Sequence, residues 1–197
     1  MKKFLLLPAL LAATAMSQAQ VFTFGASLSG PAEAPPNASP ATGTALVAYD
    51  AGAKTLKIDV TFFGLTGPTT VAHIHGATVN PFSGTAGVAV SPGTFPGFPA
   101  GVTAGAYSHV FDLTQTSTFT TAFQNANGGT VAGAEAGLFA AMQSGRTYVN
   151  LHTTAFPGGE IRGFLTPVPE PATTAAIAGG VLGAFAIARR LRSNKTA

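Results

Sequence analysis

The residues of this chain whose type and spacing most directly suggest chemistry are its histidines. His73 and His75 are separated by one residue, so a β-strand over residues 70–76 would place both imidazoles on one side, with their Cα atoms about 6.6–7 Å apart. Two imidazoles at this spacing can ligate one metal ion, and a third histidine gives a ligand set that zinc and copper accept. With His152 as the third ligand, the sequence predicts a candidate zinc or copper site. The alternative is that these histidines are structural and form hydrogen bonds across adjacent strands.

A second group of polar residues follows from a predicted hairpin whose strands are residues 146–152 and 160–166. Apolar and polar residues alternate in both segments, and the apolar ones are assigned to the core. This leaves an outward polar face made of Asn150, His152, Glu160 and Arg162. We expect Glu160 and Arg162 to form an exposed pair there, which would contribute only about 0–1 kcal/mol.

The sequence lacks the motifs of several common enzyme classes. It has no Gly-x-Ser-x-Gly motif and no glycine-rich phosphate loop before a helix, and its few carboxylates do not suggest a glycosidase pair. The chain has no cysteine, which excludes disulfides, zinc fingers and iron–sulfur clusters. We therefore expect a protein that is not an enzyme and that has no cofactor apart from the candidate zinc or copper ion.

The charge pattern argues against a nucleic-acid partner. Only 9% of the residues are charged. Residues 20–167 contain six carboxylates and four cations, and the other cations are concentrated at the two ends. Proteins that bind phosphate backbones present a basic surface, so binding to nucleic acid is not expected.

The central part of the chain has the pattern of an all-β domain. Residues 55–62 alternate apolar and polar side chains, as a half-buried antiparallel strand does, and a turn at Asp50–Gly52 joins them to the strand before. Further strands are predicted over 21–29, 70–76, 86–91, 105–113, 117–123, 146–152 and 160–166, with one short helix at about 131–143. Short strands separated by glycine, proline and asparagine turns are typical of an antiparallel β-sandwich or barrel.

The two ends have the composition of export segments. Residues 1–19 combine a charged start, an apolar run and small residues near Ala19, which predicts a signal peptide cleaved after Ala19. Residues 172–188 are uncharged and, as a transmembrane helix of about 26 Å, could just cross a membrane. The basic residues after this segment are expected on the cytoplasmic side; they are Arg189, Arg190 and Arg192.

The order of the C-terminal parts, residues 168–197, resembles a PEP-CTERM sorting signal. A Val-Pro-Glu-Pro motif precedes the apolar segment and an arginine cluster follows it; the motif residues are Val168, Pro169, Glu170 and Pro171. The resemblance implies export in a Gram-negative bacterium, processing by an exosortase-type enzyme near the motif, and transient anchoring in the inner membrane. The alternative is a stable membrane anchor formed by residues 172–188.

Several segments between residues 22 and 166 look like the chordin-type CHRD domain: Leu28–Gly30, Glu33–Pro36, Ala72–Gly76, Ser144–Thr153 and Pro157–Gly163. The resemblance implies an extracellular, immunoglobulin-like or superoxide-dismutase-like β-domain, which we place at residues 20–167. The His-x-His strand is similar to the copper-ligand strand of Cu/Zn superoxide dismutase. Residues 76–104 contain no histidine and no carboxylate, so the bridging histidine and zinc loop of that enzyme have no counterpart and dismutase activity is not expected.

These observations predict an exported, non-enzymatic protein with a binding or structural role at the cell surface or in the extracellular polymer matrix. Its partner would be an extracellular protein or polysaccharide whose identity the sequence does not indicate. The alternative is a metal-binding redox or hydrolytic domain that uses His73, His75 and His152.

Overall fold

The structure is a computed structural model that describes residues 20–169. The predicted signal peptide, the apolar segment 172–188 and the sorting-motif residues from Glu170 onward lie outside the described residues. Within residues 20–169, no helix is long and apolar enough to cross a membrane.

The described residues form nine strands and two α-helices. The strands are β1 Val21–Ser29, β2 Thr42–Asp50, β3 Thr55–Phe63, β4 Thr69–Gly76, β5 Val88–Val90, β6 Gly105–Asp112, β7 Thr147–Thr153, β8 Ile161–Phe164 and β9 Thr166–Pro167. The α-helices are α1 Thr121–Ala126 and α2 Val131–Gln143, and short 3-10 turns occupy Gly30–Ala32 and Thr116–Thr118. The predicted all-β class and the predicted helix over 131–143 are confirmed.

All strand pairs are antiparallel and belong to one curled sheet. Its order is β5-β4-β7-β8-β1-β2-β3-β6, with β9 paired to β1. The loop between β5 and β6 covers the part of β4 that β5 does not reach, because Phe95 and Gly101 donate backbone hydrogen bonds to β4 carbonyls. The Phe95 ring also stacks on Tyr107 of β6, with ring centroids 5.4 Å apart. The loop therefore links the two ends of the curled sheet.

The hydrophobic core lies inside the curl. Strand β3 follows the alternation seen in the sequence: its inward side chains are at most 2% exposed, and they are Leu56, Ile58, Val60 and Phe62. Helix α2 begins after Thr130, whose hydroxyl accepts a hydrogen bond from the backbone N–H of Gly133, as an N-cap residue does. The helix buries Leu138 and Met142 completely, so it packs against the sheet through one narrow stripe.

One predicted strand is wrong. Residues 117–123 form part of a 3-10 turn and the start of α1. The Thr120 hydroxyl accepts a hydrogen bond from the backbone N–H of Phe123, and this N-cap ends the extended conformation after one residue. The backbone N–H of Thr120 still donates to the carbonyl of Ala89 in β5, so only a short part of the segment pairs with the sheet.

Candidate metal centre

The candidate site lies on the side of β4, β7 and β8 that faces away from the core. Strand β7 pairs with β4 on one edge and with β8 on the other, and every β7 residue except the half-buried His152 is buried. The apolar side chains of Ile74, Val149 and Leu151 are 0% exposed and point into the core. The alternate side chains form a second layer, which we call the polar layer: His73, His75, Tyr148, Asn150, His152 and Arg162.

Backbone from four loops covers the polar layer. The loops contribute carbonyl groups that contact its side chains, and the contributing residues are Ala32, Gly84, Ala86, Gly93 and Pro157. Both faces of this part of the sheet are therefore buried, one by apolar core residues and the other by loops over polar side chains.

Strand geometry brings three histidines of the polar layer together. His73 and His75 lie on one side of β4 because side chains two residues apart in a strand point the same way. His152 lies on the neighbouring strand β7, where the register pairs it with Val71 of β4. The ring centroids are 5.5 Å apart for His73 and His75, 5.3 Å for His73 and His152, and 6.1 Å for His75 and His152. One nitrogen of each ring lies within 4.8 Å of the corresponding nitrogens of the other two.

Each of these imidazoles is oriented by a backbone carbonyl. The contacts are His73 Nε2 with Gly93 O at 3.0 Å, His75 Nδ1 with Ala86 O at 2.9 Å, and His152 Nδ1 with Pro157 O at 2.9 Å. A carbonyl oxygen only accepts, so the contacting nitrogen carries the proton and the other nitrogen presents a lone pair. Metal-ligating histidines are commonly held in this way.

The lone-pair nitrogens are buried and have no hydrogen-bond partner among the described residues; they are His73 Nδ1, His75 Nε2 and His152 Nε2. Burial lowers the pKa of His75 to about 4, although the hydrogen bond with Ala86 acts in the opposite direction. Burial likewise lowers the pKa of His73. At neutral pH these two rings are therefore uncharged, which is the form that binds a metal.

The spacing of the nitrogens suits one ion. Three atoms no more than 4.8 Å apart have a common point within about 2.8 Å of each, and zinc–imidazole bonds measure about 2.0–2.1 Å. Side-chain shifts of less than about 1 Å would bring all three nitrogens to bonding distance. His109, by contrast, lies on β6 between Tyr107 and Phe111, with centroids 6.1 and 4.6 Å away, and is not part of the group.

The prediction of an exposed polar face is wrong. Asn150, Glu160 and Arg162 are 3%, 0% and 4% exposed, because the loops cover the side of β7 and β8 that the alternation assigned to solvent. Arg162 does not pair with Glu160 in the described structure. Its Nε lies 3.7 Å from Glu33 Oε2, and it donates hydrogen bonds to the carbonyls of Ala32 and Gly84.

Glu160 has a different role from the one expected. Its carboxylate accepts hydrogen bonds from Ser39 Oγ, Thr153 Oγ1 and the backbone N–H of Thr66, each at 2.6 Å. Burial by itself would raise the pKa of Glu160, but these hydrogen bonds lower it below its usual value. Glu160 thus ties three segments of backbone together and stands apart from the histidine group.

Two residues outside the predicted site complete the polar layer and its cover. The Tyr148 ring is parallel to that of His75, with centroids 4.8 Å apart, and the Arg162 Cζ atom lies 4.8 Å from the Tyr148 centroid. The alternation of residues in the sequence already places Tyr148 on the same side of β7 as Asn150. Glu33 gave no such signal, since it comes from the loop after β1 and reaches Arg162 only in the folded chain.

No curated protein and no solved structure matches this chain. The PEP-CTERM protein-sorting motif matches residues 167–190, and this signal marks the chain as an exported protein processed by an exosortase-type enzyme. The sequence model of the CHRD domain matches residues 24–165, which include all of strands β2–β8. Because that match spans well over half of the chain, this protein belongs to the CHRD domain family.

Proposed function

We propose that the exported CHRD domain is a non-enzymatic metal-binding protein that holds one transition-metal ion between His73, His75 and His152. The observation that supports this function is the convergence of three buried imidazole nitrogens that lack a partner among residues 20–169. A buried polar atom without a hydrogen bond costs about 1–3 kcal/mol. Three such atoms in one group of histidines are accounted for if one ion satisfies them together.

The surroundings of the histidines favour binding over turnover. Imidazole nitrogens suit zinc and copper, and a bound ion would join β4 to β7 through side chains that backbone carbonyls already orient. The three ligand nitrogens are sealed from solvent, so a substrate has no open approach to them. The charged side chain of the polar layer, Arg162, is itself engaged with Glu33 and with two loop carbonyls.

The proposed location follows from the sorting signal. After export, the domain would be held transiently in the inner membrane by residues 172–188 and then delivered to the cell surface or the extracellular polymer matrix, where its partner is an extracellular protein or polysaccharide. Mass spectrometry of the mature protein tests the transient anchor. We expect a C-terminus close to the Val168–Pro171 motif, whereas an intact Arg192 would contradict processing.

Metal content tests the function directly. The exported protein, purified from cells supplied with zinc and copper, is expected to contain about one metal ion per chain by elemental analysis. His73→Ala and His152→Ala should lose the metal, whereas His109→Ala is the matched control and should keep it, because His109 lies outside the group. A metal-free wild-type protein that also fails to take up either ion in vitro, or a metal content unchanged in His73→Ala, would contradict the proposal.

A further inference from the structure

We propose that this centre selects a monovalent ion, copper(I), over the divalent zinc(II). This inference rests on the proposed metal binding and adds the charge of the ion that the site takes. Three features of the structure support it: the absence of an acidic ligand, the sealed position of the nitrogens and the nearby charge of Arg162.

The ligand group is electrically neutral. Among the described residues, the cluster contains three histidines and no carboxylate, so no negative ligand compensates the charge of a bound ion. The cost of moving an ion from water into a low-dielectric interior grows with the square of its charge. A dication in this sealed position therefore pays about four times the desolvation cost of a monocation of similar size.

Arg162 adds a repulsion that also grows with the charge of the ion. Arg162 is 4% exposed. Its Cζ atom lies 4.8 Å from the centroid of the Tyr148 ring, and that centroid lies 4.8 Å from the centroid of the His75 ring. The Arg162 Cζ atom therefore lies within about 10 Å of the His75 ring centroid. A unit charge at such a distance from the ion, at an effective dielectric constant of about 20, lowers affinity on the order of tenfold for each unit of ion charge. Zinc(II) is thus disfavoured relative to copper(I) by one further factor of this size.

The acidic neighbour of Arg162 offsets this repulsion only in part. Glu33 Oε2 lies 3.7 Å from Arg162 Nε. Burial raises the pKa of Glu33 to about 7, although Arg162 lowers it. This carboxyl group is therefore partly protonated at neutral pH, and Arg162 keeps a net positive influence on the polar layer.

Coordination number points to the same ion. Zinc in proteins is almost always four-coordinate, with water as the fourth ligand where the protein supplies three. Here the described residues supply three histidine ligands and no cysteine or carboxylate ligand, and the three nitrogens are buried. Copper(I), which like zinc(II) has a filled d shell, is stable with three nitrogen ligands and needs no fourth.

Competition titrations of the metal-free exported protein at pH 7.0 measure this selectivity. Copper(I) is titrated without oxygen against a copper(I)-specific chelator, and zinc(II) against a zinc chelator. We expect the Kd for copper(I) to be at least about 100-fold lower than the Kd for zinc(II), from desolvation and the Arg162 repulsion together. Equal or tighter binding of zinc(II) by the wild-type protein would overturn the inference.

Two variants separate the charge effect from general damage. Arg162→Gln, checked for folding by circular dichroism, should narrow the copper(I)-to-zinc(II) preference on the order of tenfold. Glu33→Gln removes the negative charge beside Arg162, so its preference for copper(I) over zinc(II) should be equal to or larger than that of the wild type. If Arg162→Gln folds and its preference for copper(I) over zinc(II) equals that of the wild type, the role of Arg162 is refuted. If Arg162→Gln does not fold, a smaller preference for copper(I) in Glu33→Gln than in the wild type refutes the same role.

The outcomes also distinguish this inference from the proposed function. If His73→Ala abolishes binding of zinc(II) and the wild-type protein prefers zinc(II), metal binding stands and the selection of a monovalent ion falls. If the wild-type protein binds neither ion, the proposed function itself falls.

Discussion

Replacing Glu160 by glutamine is the substitution whose effect on stability follows most directly from the structure. The change turns one oxygen of a buried carboxylate into an NH2 group and keeps the shape of the side chain. Glu160 is 0% exposed and accepts three hydrogen bonds of 2.6 Å, from Ser39, Thr66 and Thr153. These donors belong to three separate segments, so the variant weakens the attachment of each to the start of β8.

The expected loss in the free energy of unfolding follows from these hydrogen bonds. A hydrogen bond to a charged acceptor contributes about 1.5–3 kcal/mol and a neutral one about 0.5–1.5 kcal/mol. With the amide oxygen in the place of Oε1, the bonds from Ser39 and Thr66 each weaken by about 1 kcal/mol. The NH2 group in the place of Oε2 cannot accept, so the Thr153 hydroxyl must turn and accept from it instead. A buried amide costs less to desolvate than a buried carboxylate, which returns part of this loss. We expect Glu160→Gln to lower the free energy of unfolding by about 2 kcal/mol. This corresponds to a fall in Tm of roughly 4–8 °C for a domain of this size.

Urea denaturation followed by circular dichroism measures the effect, and its pH dependence identifies the cause. The pKa of Glu160 is lowered in the folded protein, so the unfolded chain takes up the proton first as the pH falls. The stabilisation is therefore fully present above the ordinary glutamate value of about 4.5 and is lost as the pH falls through the folded pKa. The gap between wild type and variant should be constant from pH 8 to about pH 5 and should close below that.

Asp59→Asn is the matched control. This carboxylate also accepts two short hydrogen bonds, from Lys57 and Ser108, each at 2.6 Å, but it lies on the exposed side of β3. Its replacement should change stability by less than about 1 kcal/mol. If Glu160→Gln were as stable as wild type, or if the gap persisted unchanged to pH 3, the reasoning about the buried carboxylate would be refuted.

Three further substitutions, one of them with a control variant, test other parts of the fold. Burial raises the pKa of Glu33 to about 7, so the wild-type protein should lose stability as the pH rises from about 4.5 to 7. Glu33→Gln should lose less stability over this range, and equal pH profiles of the two proteins in urea denaturation would contradict this. Leu138 of α2 is 0% exposed, so Leu138→Ala should lower the free energy of unfolding by about 2–5 kcal/mol. Val110 is 53% exposed, so Val110→Ala should change this free energy little. Similar losses in thermal or urea unfolding would contradict the placement of the core. Tyr49→Phe removes the 2.8 Å hydrogen bond to the buried Glu135 and should cost about 1 kcal/mol, and an undiminished urea midpoint would argue against that bond.

The alternation of residue types predicted most of the site because strand geometry is local. Residues two apart in a strand share a side, so the positions of His73 and His75 relative to each other followed from their spacing. The same reasoning grouped Asn150 with His152 on β7. The pattern of residues 131–143 likewise predicted helix α2, since helical periodicity acts within a few residues.

The prediction failed where distant segments decide the environment. Alternation separates the core side of a strand from the other side, and it says nothing about whether a loop covers that other side. Glu160 and Arg162 were therefore assigned to solvent, although loops bury them to 0% and 4% exposure. The apolar residues of 117–123 fitted a strand equally well, and only the hydrogen bond at Thr120 favoured the helix.

The amino-acid sequence by itself determined the all-β class, the strand faces, the family and the sorting signal, because these depend on patterns within short segments. The pairing of β4 with β7 arises only in the tertiary structure, and it brings His152 close to His73 and His75 although they are far apart in the chain. Folding also lays four loops over the polar layer and brings Glu33 to Arg162. The burial that lowers the pKa of His73 and of His75 arises from this packing of distant segments, and no single segment of the sequence indicates it.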